Sequence, residues 1–223
     1  MWTLLFDIDG TLIRTHGAGM GAMGQAIIEH YGHEDIPEVR VHGCTDKGIT
    51  TELFTKLDID LDADHSGFFD TYCDLLKSAL ETKGGEVLPG VVEALQQLNS
   101  HPNVALGILT GNGKRAAEIK LDHFCLREYF LFGGYGDDHS DRNDVAAQAS
   151  DAAAAFLDDR FESEKVWVIG DTVNDIRCAR SIGAKIFAVE TGGDSREILA
   201  EKSPDLLMCD LSNVSRWINS MNY

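Results

Sequence analysis

The sequence predicts an α/β fold: a parallel sheet between two layers of helices, with a small all-helical segment inserted after the first strand. Three observations carry this. Short apolar runs recur without polar alternation, as in "TLLF", "VALGIL" and "VWVI", and strands of that kind are buried on both faces. Helical patterns alternate with them, as strand–helix–strand units require. One long interval, residues 14–84, holds no convincing buried strand and breaks the rhythm.

Strands are expected at residues 3–6, 104–109, 129–132, 166–169, 186–189 and 206–208. Helices are expected at 91–98, 114–124, 144–157, 173–182, 195–200 and 214–219. Pro89 sits at the start of the first of these, where its ring suits a first helical turn. The "DAAAAF" tract at 151–156 reads as helix rather than as low complexity.

The interval between the first two strands reads as three helices, about 19–31, 46–57 and 64–82. Glycines crowd both its borders, "HGAGMGAMG" at 16–24 and "KGGEVLPG" at 83–90. Flexible borders around a helical stretch suggest a movable cap at residues 14–84 over a core made of 1–13 and 85–223. The alternative is a helical layer of the same domain.

The chain has 223 residues and a net charge of −18. That length buries a full core without disulfides or structural metals. The charge argues against nucleic acid and anionic membrane as partners, since both reward a basic surface. An anionic substrate then needs a local cation or a metal. The five cysteines (Cys44, Cys73, Cys125, Cys178, Cys209) are dispersed with no CxxC pair. An odd, scattered set reads as reduced thiols in a cytoplasmic protein. The short N-terminal apolar run has no basic region before it and is not read as a signal peptide. No apolar stretch approaches the ~20 residues of a membrane span.

Three expected strands end in polar signatures. The first, in "LLFDIDGTLIR", ends in Asp7 and Asp9, followed by Gly10 and Thr11. "VALGIL" ends in Thr110, Gly111, Asn112 and Gly113, and "VWVI" in "GDTVND", with Asp171 and Asp175. Ligands of parallel sheets sit beyond the carboxyl ends of the strands, so these residues meet at one edge. Clustered buried carboxylates repel unless something compensates. A hard divalent cation with oxygen ligands does so, and Mg²⁺ uses few carboxylates plus water and substrate phosphate. The Thr110–Gly113 turn offers a hydroxyl and backbone N–H groups at a helix start, which suits a phosphate. Each piece alone has a plain reading: a helix cap, a solvated residue or a turn. Together, in this order, they point to phosphoryl chemistry.

"DIDGT", "LTGN" and "GDTVND" resemble the motifs of the haloacid dehalogenase superfamily, and most of all its phosphoglycolate-phosphatase-like branch. The resemblance covers nearly the whole chain. It implies a Rossmann-like three-layer core with the helical cap inserted after the first strand. It implies that Asp7 is the nucleophile and forms an aspartyl-phosphate, and that Asp9 is the acid for the leaving alcohol and then the base for water. It implies that Thr110, Gly111 and Asn112 hold the phosphoryl group. The metal ligands it implies are Asp7, the Asp9 backbone carbonyl and Asp171, with Asp175 in support. The acid role requires the pKa of Asp9 to differ from that of Asp7.

One position departs from the family pattern. A lysine is usual between the second and last motifs, yet none stands between Lys120 and Lys165. Arg142 is at about the expected place, and arginine binds phosphate through two bonds. Lys114 is the substitute candidate. The alternative for Arg142 is a surface position neutralised by Asp138, Asp141 or Asp144. In the cap, "HGCTDKGI" at 42–49 resembles the turn that faces the active site, so Thr45 and Asp46 are expected to touch substrate. Asp46 has the alternative of capping the helix after it. Arg14 and Lys47 are equally open between contact with a substrate anion and solvent, while His16, near the first hinge, reads as a surface residue rather than a proton shuttle.

The expectation is therefore a Mg²⁺-dependent phosphomonoester hydrolase for a small phosphorylated metabolite, phosphoglycolate-like or a sugar phosphate. A phosphomutase of the same fold, β-phosphoglucomutase-like, is the nearest alternative. Sugar phosphomutases of the family often carry Glu-Asp where this chain has Gly170-Asp171. A non-catalytic binder of phosphorylated ligands is the second. Oligomeric state is open.

Overall fold

Backbone hydrogen bonds join the apolar runs into one six-stranded sheet in the computed structural model, which describes residues 1–214, 217 and 218. Its first strand, β1 (Trp2–Phe6), is followed by the two-residue β2 (Ile13–Arg14) and by helices α1 (Ala18–Tyr31), α2 (Asp46–Lys56) and α3 (Ser66–Lys83). Then come β3 (Glu86–Val87), α4 (Val91–Asn99), β4 (Val104–Leu109), α5 (Lys114–His123) and β5 (Phe132–Gly134). The chain continues through α6 (Arg142–Leu157), β6 (Val166–Gly170), α7 (Val173–Ser181), β7 (Lys185–Val189), α8 (Arg196–Glu201) and β8 (Leu206–Met208).

The strand order is β5-β4-β1-β6-β7-β8, and every pairing is parallel. Successive side chains alternate between the faces. Leu4, Phe6, Leu106, Ile108 and Ile169 pack with α4 and α5. Leu5, Val168, Ile186 and Ala188 pack with α6, α7 and α8. This is the expected three-layer α/β core. β1 lies between β4 and β6, so the three strands that carry polar signatures are neighbours. The chain leaves β1 toward opposite edges there, which opens a crevice at their carboxyl ends.

Helices α1, α2 and α3 share an apolar cluster of their own, including Ile27, Leu53, Phe54, Phe68 and Leu76. Ala116 of α5 joins that cluster from the core side. The chain enters and leaves this helical insert through β2 and β3, which pair antiparallel as Ile13 with Val87 and Arg14 with Glu86. So short a ribbon leaves no readable pattern in the sequence.

Two further differences concern bounds. The strand expected at 129–132 lies at Phe132–Gly134, because Arg127–Tyr129 closes a 3-10 turn first. A Cβ on Gly134 would run into Val145 and Ala149 of α6, so glycine permits close strand–helix packing. Of the helix expected at 214–219, residues 215, 216 and 219 lie outside the described residues.

Candidate active site

Asp7 follows directly on β1, and its backbone N–H donates to Ile169 O of β6 at 2.9 Å. Gly10, directly after Asp9, has φ 85. A Cβ there would come within 2.5 Å of Asp171 Oδ2, so the turn after β1 needs glycine for both conformation and space. Thr110 ends β4, and Asp171 follows β6.

Arg142 stands at the first turn of α6 with its side chain buried under this edge. Its Nη2 is 2.9 Å from Asp7 Oδ2 and 2.5 Å from Asp175 Oδ1. The surface alternative for Arg142 therefore does not hold. Its Nε is buried with no partner among the described residues. Lys114 is exposed and does not line the crevice, so it is not the replacement cation.

Oxygens of Asp7, Asp171 and Asp175 lie within 4.8 Å of one another, and all three residues are buried. Asp175 has no oxygen to spare. Arg142 takes Oδ1, and Oδ2 accepts from Thr172 N at 2.9 Å and Thr172 Oγ1 at 2.7 Å, completing the capping box of α7. Asp171 is oriented by Thr11 Oγ1 at 2.9 Å and Gly193 N at 2.6 Å. Burial pushes the Asp7 carboxyl up, the Asp175 charge adds to this, and Arg142 opposes it. Burial, then the Asp175 and Asp7 charges, push Asp171 well up. An oxygen-only donor set with this excess of buried negative charge fits a hard divalent cation. Asp7 and Asp171 would hold it, and Asp175 would support the site.

Sequence reasoning missed Lys120. It lies buried on α5, and its Nζ donates to Asp9 Oδ2 and to Asn112 Oδ1, both at 2.6 Å. Asn112 Nδ2 also donates to Asp9 Oδ2 at 2.7 Å and to Thr110 Oγ1 at 2.9 Å. Thr110, Asn112, Lys120 and Asp9 thus form one network. Burial acts to raise the Asp9 carboxyl, but Lys120 and Asn112 outweigh it and hold Asp9 below the usual range. The two carboxyls are shifted in opposite directions, Asp7 up and Asp9 down, the reverse of what an acid role for Asp9 requires. In this state the carboxyl that is held ionised is Asp9, because Lys120 is its partner.

The segment at 42–49 rests on the core loops. Asp46 N donates to Gly111 O at 2.7 Å, Asp46 Oδ2 accepts from Gly113 N at 2.8 Å, and Asn174 Nδ2 donates to Gly43 O at 2.8 Å. A Cβ on Gly111 would collide with Cys44 O, so that glycine permits the close approach. Thr45 is the N-cap of α2, accepting from Gly48 N at 3.0 Å. It does not line the crevice, whereas Asp46 does. Lys47 Nζ reaches Asp138 O at 2.8 Å, and Arg14 is paired with Glu86. A loop after β7 was also missed. Thr191, Gly192 and Gly193 line the site, with Gly193 against His42 of the insert, and Thr191 Oγ1 donates to Gly10 O at 2.6 Å. The enclosed space is about 430 Å³.

The family model for haloacid dehalogenase-like hydrolases matches residues 4–189. The phosphoglycolate phosphatase of Photorhabdus laumondii subsp. laumondii is 25% identical over 218 residues, covering 95% of this chain and 89% of that protein. The pyrophosphatase PpaX of Bacillus cereus is 25% identical over 234 residues, covering 99% and 97%. Among solved structures, CbbY from Rhodobacter sphaeroides in complex with phosphate superposes with a TM-score of 0.72 at 17% identity, covering 96% of this chain and 97% of that one. That last likeness is one of fold.

Proposed function

The chain belongs to the haloacid dehalogenase-like hydrolases and is an enzyme of their phosphatase kind, and we propose that it is a Mg²⁺-dependent phosphomonoester hydrolase for a small phosphorylated metabolite. The observation that carries this reading is the buried Asp7–Arg142 pair, 2.9 Å apart, beside Asp171 at the carboxyl edge of three adjacent strands.

Asp7 attacks phosphorus and becomes an aspartyl-phosphate as the leaving alcohol takes a proton from Asp9. Water then attacks the acyl phosphate, gives its proton to Asp9, and releases inorganic phosphate and free Asp7. The ionised, Lys120-paired Asp9 suits the second task. The first requires that it take up a proton as the phosphate enters. Thr110 and the backbone amides after it hold the equatorial oxygens, and Arg142 balances charge on Asp7 and the phosphoryl group. Mg²⁺ held by Asp7, the Asp9 carbonyl and Asp171 would neutralise the phosphate charge. The insert acts as the cap, with residues 14–84 covering a core of 1–13 and 85–223.

Phosphoglycolate and sugar phosphates are the first substrates to try, the former because relatives bear that name. A cytoplasmic location is proposed with it, on the dispersed cysteine set. No helix among the described residues is long and apolar enough to cross a membrane. The mutase alternative finds no support at Gly170, where any Cβ would meet the Asp175 carboxylate. The test is phosphate release from a panel of monoesters with and without Mg²⁺, for the native enzyme and Asp7→Asn. Mg²⁺-dependent release that vanishes with Asp7→Asn supports the reading. Release that persists in Asp7→Asn overturns it.

A further inference from the structure

We propose that the leaving-group half of the crevice selects phosphate esters of neutral, largely apolar alcohols and turns away alcohols that carry a second anion; this rests on the phosphatase reading and narrows it. The two halves of the crevice differ in chemistry. Its floor is polar and holds the aspartates, Thr110 and Asn112. The insert lines the crevice with Met20 and Met23 of α1, Val41, Ile49 of α2 and Tyr72 of α3, beside the polar Thr15, Cys44 and Asp46. Met23, Ile49 and Tyr72 are nearly fully buried.

A carboxylate on the alcohol would need a cation in that lining. Among the described residues lining the crevice, the lysine and the two arginines are already engaged. Lys120 is held by Asp9 and Asn112, and Arg142 by Asp7 and Asp175. Arg14, at the mouth, donates to Glu86 Oε1 at 2.7 Å and to Thr191 O at 2.8 Å. His16 and His42 line the crevice as well and are exposed. Besides Arg14, which faces Glu86, the charged group that the insert contributes to the crevice is Asp46, a carboxylate. A second anion would therefore face hydrocarbon and a like charge, and an unpaired buried charge is strongly unfavourable. An apolar alcohol would instead bury its surface against the two methionines and the isoleucine.

The experiment measures kcat/KM with Mg²⁺ for propyl phosphate, benzyl phosphate and 2-phosphoglycolate, with p-nitrophenyl phosphate as the general phosphatase substrate. The neutral esters are expected to exceed 2-phosphoglycolate by at least about tenfold, through KM. Met20 is half-buried, so Met20→Arg is a tolerable way to place a cation in that lining. It is expected to shift the ratio toward 2-phosphoglycolate by about tenfold, whereas Met20→Leu leaves the ratio in place. Turnover of 2-phosphoglycolate equal to or better than the neutral esters would overturn the proposal. So would a ratio that Met20→Arg does not move. If p-nitrophenyl phosphate and every other ester stay intact, the phosphatase reading itself fails, and the substrate preference with it.

Discussion

The guanidinium of Arg142 lies 2.9 Å from the carboxylate of Asp7, with both side chains about 6% exposed. It is the one cation in contact with Asp7 and Asp175 among the described residues. Removing it leaves buried carboxylates uncompensated, which typically costs about 3–5 kcal/mol. Arg142→Ala is expected to lower stability on that scale and kcat/KM by about 10²–10³-fold. Arg142→Lys keeps the charge but loses the planar fork, so it should recover stability better than rate. Denaturant unfolding together with steady-state phosphate release checks both. Equal rates in Arg142→Lys and the native enzyme would mean that only the charge matters.

Lys120 gives a second prediction. Its side chain is 5% exposed, while that of Asp9 is 40% exposed, so the pair is half wet. Lys120→Met preserves length but unpairs Asp9 and Asn112 together. Stability should fall by roughly 1–3 kcal/mol, and kcat by about 10–100-fold as Asp9 loses its orientation. KM should change little if Lys120 acts on Asp9 rather than on substrate. A rise in KM with kcat intact would assign Lys120 to substrate binding.

The core and most of the site's residues were readable in the chain, and the reasons are specific. β1, β4 and β6 are buried on both faces, so they appear as uninterrupted apolar runs, and the polar residues that end them are conspicuous. Arg142 was legible through the missing lysine. Lys120 was not, because its meaning depends on which face of α5 looks toward the site. The clue was present: Ala116, Ala117, Lys120 and Leu121 are the buried positions of that helix, so a lysine falls on an apolar face. Thr45 was read as a substrate contact and proves to be a helix cap. Cap and contact residues share the same chemistry, and only the fold separates them.

The metal site is testable without turnover. Mg²⁺ that binds the folded state alone raises stability, by about 2.7 kcal/mol at a hundred times Kd. Thermal melts with EDTA and with Mg²⁺ should differ for the native enzyme. Asp171→Asn should abolish that difference, because it removes a ligand charge from the group formed with Asp7. Asp46→Asn should keep it. A Mg²⁺ response that survives Asp171→Asn would place the metal elsewhere.

Asp46 supplies a pH dependence. Its carboxyl, half-buried and bonded to Gly113 N, is pushed from the usual 3.8 up to about 6. Burial is the largest cause, Lys120 opposes it, and the charges of Asp9 and Asp137 add to it. With the folded value above the unfolded one, the sign is a penalty. Below about pH 4 the group is protonated in both states and has no effect. Between there and about pH 6 the unfolded chain releases the proton while the folded chain keeps it, so stability falls as pH rises. Above that the penalty is constant, about 1–2 kcal/mol once solvent screening is allowed for. Asn at this position still offers a carbonyl to Gly113 N but carries no charge. Asp46→Asn is therefore expected to be more stable than the native enzyme by about 1–2 kcal/mol at pH 8. The gap should close as the pH is lowered toward 4. Denaturant melts across that range check it. A native enzyme more stable than Asp46→Asn at pH 8 would mean that the charge, through Lys120 or the helix N-terminus, is favourable there after all.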